Sequence, residues 1–172
     1  MRSESFLLLI LVLSFSFVSC SKAMPAGFWK NYHPKSIVKK ISDQGPRGGH
    51  RAVYWKSERE NFFSSTDIID FAFKNGWTFM DSIEINAIQT GQWIYDNKPV
   101  FPLSYSGFND TALNTSTYKH FPRWFGGNVK IYKFKTGWIT IEPGTDNSNE
   151  VNGFVLLNEN KNEMAIYHLW GE

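Results

Sequence analysis

The chain has 172 residues, carries 18 Lys and Arg against 16 Asp and Glu for a formal net charge of +2, and contains one cysteine. This balance lacks the concentrated basic face that nucleic-acid binding rewards, and a single cysteine cannot build a disulfide framework. Phe, Tyr and Trp make up 17% of the residues, an excess that either fills a β-rich core or furnishes a binding face, since rings that pack well on pleated surfaces also anchor interfaces.

Phe6 to Val18 is a mostly apolar run of 13 residues preceded by Arg2. That is shorter than the roughly 17 to 25 residues a membrane span requires, so it reads as the apolar region of a secretory signal. The run ends in Phe17-Val18-Ser19-Cys20, which resembles the lipobox of bacterial lipoproteins, with Phe17 standing where such signals place Leu, Val or Ile. The resemblance covers residues 1–20 alone. It implies a signal over 1–19 and lipidation of Cys20; the small residues that follow read as a tether over 20–27, and the remaining length as a single domain over 28–172. It also implies attachment through the lipid to the cell envelope, at the periplasmic face of the outer membrane or, alternatively, at the inner membrane. Two or three acyl chains at about 0.8 kcal/mol per buried CH₂ make such an anchor effectively permanent.

In the mature chain, Ile37, Val38 and Ile41 at i, i+1 and i+4 predict a short amphipathic helix over 35–42, and the glycine-rich stretch 43–49 ends it. Val53, Tyr54 and Trp55 predict a strand over 51–56. Ser64-Ser65-Thr66 offers caps for a helix over 67–74 closed by Asn75-Gly76, with Asp67 in its acidic first turn. Alternation of Ile83 and Ile85 with Ser82 and Glu84 predicts a strand over 77–87. Segment 97–127 has three prolines, little periodicity and many aromatics, a length of irregular chain that is often functional.

From Asn128 the pattern becomes antiparallel. Thr136-Gly137 reads as a tight turn between strands 129–135 and 138–142, and the polar stretch 158–163 as the loop of a second hairpin between 154–157 and 164–170. The expected fold class is α+β, an antiparallel sheet of C-terminal hairpins packed against two short N-terminal helices.

No dinucleotide, phosphate-loop, zinc-protease or serine-hydrolase motif occurs, and no cofactor or metal is expected. The four histidines have no ligand spacing between them. Arg47, His50 and Arg51 in Gly45-Pro46-Arg47-Gly48-Gly49-His50-Arg51 form the best candidate chemical loop, able to meet an anion, although a plain connector explains the glycines as well.

Two functions from different classes follow. One is a non-enzymatic binding module for a protein partner or envelope polymer, using aromatics of the middle segment (Tyr105, Phe108, Trp124, Phe125) with Arg47 and Arg51. The other is a small envelope hydrolase in which His50 works with a carboxylate such as Asp81 or Glu84.

Overall fold

The computed structural model describes residues 25–45, 47–92, 94–100, 103, 124, 126–141 and 146–171. Two 3-10 turns, Gly27–Asn31 and Pro34–Ser36, precede β1 (Ile37–Gln44) and β2 (Gly48–Lys56). Helix α1 (Ser65–Lys74) leads into β3 (Thr78–Ile85), followed by the short α2 (Ala87–Gln92) and a two-residue pair, β4 (Ile94–Tyr95) with β5 (Lys98–Pro99). The chain closes with β6 (Val129–Ile141), β7 (Ser148–Asn158) and β8 (Glu163–Gly171). Six strands form one sheet in the order β1-β2-β8-β7-β6-β3, with every neighbouring pair antiparallel. The fold is broadly α+β, but mostly sheet.

Both faces of the sheet are apolar. Val53, Trp55, Tyr132, Phe134, Val155, Leu157, Met164 and Ile166 point to one face, where they pack with Trp29 and Tyr32 from the first turn, Phe63, Ile68 and Ala72 of α1, and Trp77. The alternate residues Ala52, Tyr54, Ile83, Ile85, Ile131, Phe154, Leu156, Ala165 and Tyr167 point to the other, covered by Val100, Leu103 and Trp124. Burial on both sides explains why 154–157 reads as a continuous apolar run instead of an alternating one. Trp29 centres the first face, with its ring 5.5 Å from that of Trp77 and 6.3 Å from that of Trp55. Helix α1 starts as its sequence predicts: Ser64 is the cap, its hydroxyl accepting from the Asp67 N–H.

Two expectations are corrected. Residues 37–44 form a strand, not a helix, so the sheet does not rest on two N-terminal helices: 3-10 turns stand in for the first. Ile37, Val38 and Ile41 are β-branched and stiff at χ1, and the outer edge of β2 offers them a ladder from Ile37↔Trp55 to Gln44↔Gly49. The second correction is at Thr136-Gly137, which does not turn a hairpin. Residues 129–141 are one strand, and its pairing with β7 jumps from Lys135↔Val151 to Thr140↔Asn149. Five residues of β6 thereby oppose two of β7, so Gly137, at φ +77°, lets the chain bulge outward instead of folding back.

Glycine 153 sits between buried side chains that leave no room for a Cβ. A methyl there would lie 2.6 Å from Cγ2 of Thr136 and 2.7 Å from the Trp77 ring, both buried. Gly153→Ala should therefore destabilise the protein by about 1–3 kcal/mol, read as a lower urea midpoint with an unchanged slope.

Candidate functional site

The groups with chemical potential gather at one end of the sheet, where β1 ends, β2 begins, β8 ends and the β6 bulge lies. Gly49 pairs with Gln44 on one side and Trp170 on the other, and Arg51 pairs with Ser42 and His168. A parallel bridge, Thr140↔Gly171, brings the bulge alongside. The glycines of 45–49 serve packing. A Cβ on Gly48 would fall 2.3 Å from the Trp170 carbonyl oxygen, and one on Gly49 would fall 2.4 Å from the Asp43 carbonyl oxygen and 2.6 Å from the Trp170 ring. Gly45 N–H donates to the Gly48 carbonyl at 2.7 Å, closing the connection between β1 and β2. The connector reading of this stretch is the one the backbone follows.

Beneath the bulge lies a buried polar network. Thr136 Oγ1 donates to Asn152 Oδ1 at 2.6 Å and receives the Trp138 N–H at 3.3 Å. Asn152 Nδ2 donates to the Trp138 carbonyl at 2.9 Å and to Thr140 Oγ1 at 3.4 Å, and Thr140 Oγ1 donates to the Leu169 carbonyl at 2.7 Å. Since the only hydroxyl proton of Thr136 goes to Asn152, the 3.1 Å contact between Thr136 Oγ1 and His168 Nε2 requires the imidazole to donate, which fixes the Nε2–H tautomer. His168 Nδ1 is then a lone pair, buried and with no hydrogen-bond partner among the described residues. The ring lies between Trp77, 5.3 Å away, and Trp170, stacked at 5.0 Å. Desolvation first, and the neighbouring Arg51 charge second, push its pKa down to about 3.

The network bonds the Trp138 backbone from below, and the side chains of Trp138 and Ile139 stand out, 43% and 51% exposed. Next to it, Pro25, Ser42, Asp43, Gln44, Arg51 and Trp170 line a cavity of about 280 Å³. Arg51 is half-buried, and burial disfavours its charged form. Among the described residues no carboxylate or other acceptor reaches its guanidinium within hydrogen-bond or ion-pair distance.

The structure parts the residues of the hydrolase reading. His50 is buried on the face opposite Arg51, because neighbours on a strand alternate. Asp81 and Glu84 lie on β3, four strand spacings from β2, or about 19 Å at 4.8 Å each. There Asp81 pairs with Lys133 and Glu84 with Lys130, both at 3.0 Å and both exposed. Trp124 is half-buried, stacked 5.9 Å from Tyr167 and tilted 5.5 Å from Tyr54, so it covers the core. Arg47 is exposed, and its carbonyl oxygen lies 2.0 Å from where a Cβ on Gly171 would be. Cys20, Tyr105, Phe108 and Phe125 lie outside the described residues. Trp138, Asn152 and His168 were not among the site residues the sequence suggested. The available signal was Asn152-Gly153, a polar residue and a glycine inside an apolar strand, which marks a bulge or close approach. Among the described residues no group of His, Cys or acidic side chains is placed to hold a metal, and no helix is long and apolar enough to cross a membrane.

A His168 that stays neutral when folded but titrates near 6.5 when unfolded makes stability fall as pH drops through the window from 6.5 towards 3, because only the unfolded chain gains the proton. The loss should be on the order of a few kcal/mol and should be flattened in His168→Gln, measured as the pH dependence of the urea midpoint. Asn152→Ala should cost about 1–3 kcal/mol by stranding buried partners and should alter Trp138 fluorescence. Comparison of the chain with protein-family models, with curated proteins and with solved structures returns no match.

Proposed function

We propose that this chain is a lipid-anchored protein of the cell envelope that works by binding, holding a protein partner or an envelope polymer, and not by catalysis. The observation that carries the reading is the sheet end, where Trp138 and Ile139 project from a bulge whose backbone is fixed by Asn152 and Thr136. A large exposed ring carried on backbone that is already hydrogen-bonded in place is the kind of group that dominates recognition energetics, because the strand beneath it needs no ordering when it docks. The lipid reading of Cys20 supports the address, since an anchored protein meets its partner at the membrane surface. The hydrolase alternative loses support from the strand order, which sets the strand of His50 about 19 Å from the strand that carries Asp81 and Glu84.

The test is crosslinking in cells with a carboxy-terminal tag, followed by identification of what accompanies the protein. Trp138→Ala, an exposed change that leaves the core intact, should reduce capture of a true partner about tenfold or more. Cys20→Ser should move the protein out of the membrane fraction. Reproducible hydrolytic turnover by the purified protein, abolished in His50→Ala, would overturn the binding reading.

A further inference from the structure

The half-buried Arg51 lines a small cavity and is a charge with no hydrogen-bond or ion-pair partner among the described residues. A guanidinium taken partly out of water is costly unless an anion meets it, and Arg cannot escape the cost by losing its proton under ordinary conditions. Two of the groups around it, Ser42 and Gln44, can donate. Ser42 lies directly opposite Arg51 in the ladder, and Gln44, two residues on, shares its face of β1. Neither side chain has a hydrogen-bond partner among the described residues. Asp43, the acid in the lining, accepts the Gln44 N–H at 2.8 Å. Gly49 leaves the floor without a side chain, and the Trp170 ring fills that space as a wall.

We infer that this cavity binds a phosphate ester, whose oxygens suit a guanidinium fork on one strand facing a hydroxyl and an amide on the next better than the two oxygens of a carboxylate do. Pro25 also lines the cavity and is five residues from Cys20, a reach of at most about 18 Å even fully extended. A lipid on Cys20 therefore keeps Pro25, at the edge of the cavity, within about 18 Å of the anchored residue, a span that leaves the bilayer headgroups within reach, and a headgroup phosphate is its first source. The choice of source rests on the lipid-anchor reading, whereas the site itself does not.

The test uses the purified full protein in a phosphate-free non-ionic detergent, with glycerol phosphate as the probe and tryptophan fluorescence and melting temperature as readouts. Glycerol phosphate should shift both signals. Arg51→Gln should weaken binding about tenfold or more, the expected effect of losing a charged hydrogen-bonding partner. Ser42→Glu, on the exposed edge strand, should supply the missing carboxylate internally, raising the melting temperature without ligand and abolishing the response. No shift in the parent protein, or one that survives both substitutions, would overturn the site. In a second arm the protein is placed in phosphatidylglycerol vesicles or in galactolipid vesicles, which carry no phosphate. A probe response blocked in the first and retained in the second supports the headgroup as source. A response retained in both overturns that source and leaves a soluble phosphate ester as the ligand. Failure of Cys20→Ser to change membrane fractionation overturns the anchor alone, and leaves the detergent result standing.

Discussion

A sheet that is apolar on both faces has to be covered twice, and that requirement organises the rest of this molecule. Strands β7 and β8 carry it: Val155, Leu157, Met164 and Ile166 face one way, Phe154, Leu156, Ala165 and Tyr167 the other. One cover is built from local chain, the first 3-10 turn and α1, joined through Trp29 and Trp77. The other draws on Val100, Leu103 and Trp124, far along the sequence. Much of the aromatic excess is thereby accounted for as ring area needed to close two layers from few helical residues, because each buried ring removes about 150–250 Å² from water.

Where the two covers end, polar groups enter the interior. Thr136, Thr140, Asn152 and His168 are buried together, and their bonds close on one another or on backbone carbonyls, apart from Nδ1 of His168. Such a network specifies geometry more than it adds stability, since each bond replaces one to water while a missing partner costs the full desolvation. Here the geometry specified is the bulge of β6. Asn152 bonds to the Trp138 carbonyl, and Thr136 to the Trp138 N–H, so the unpaired backbone of the bulge is satisfied from within. Bulges at Ile37/Lys39 in β1 and at Phe79/Asp81 in β3, together with the edge lysines Lys39 and Lys40, also blunt the two edges of the sheet against pairing with further strands.

Local signals in the sequence were read well where local chemistry decided the outcome. Ser64 with Asp67 and Asn75-Gly76 bracket α1, and the polar 158–163 stretch turns between β7 and β8, where Asn158 Oδ1 accepts the N–H groups of Asn162 and Glu163. The reading failed where tertiary pairing decided it. Residues 37–41 fit a helical period, yet their β-branched side chains pair with β2. Thr136-Gly137 has turn chemistry, yet a glycine at positive φ serves a bulge equally well. The candidate site was legible only in part. Arg51 was identified from its loop, but its separation from His50 follows from strand alternation. The distance from His50 to Asp81 follows from a strand order that no local pattern encodes.

That same strand order keeps apart the groups that the acid–base reading would need together. Acid–base work needs two titratable groups within reach of one substrate. Here His168 is held neutral in the interior, His50 is turned to the opposite face, and Asp81 and Glu84 are paired with lysines at the far edge. What converges instead is a fixed cation, hydrogen-bond donors and indole rings on strands buttressed by a buried network. Such groups bind without changing protonation state. Among the described residues Arg51 is an unmatched charge, and under the proposed reading an anionic ligand that supplied the match would stabilise the fold it docks on by mass action.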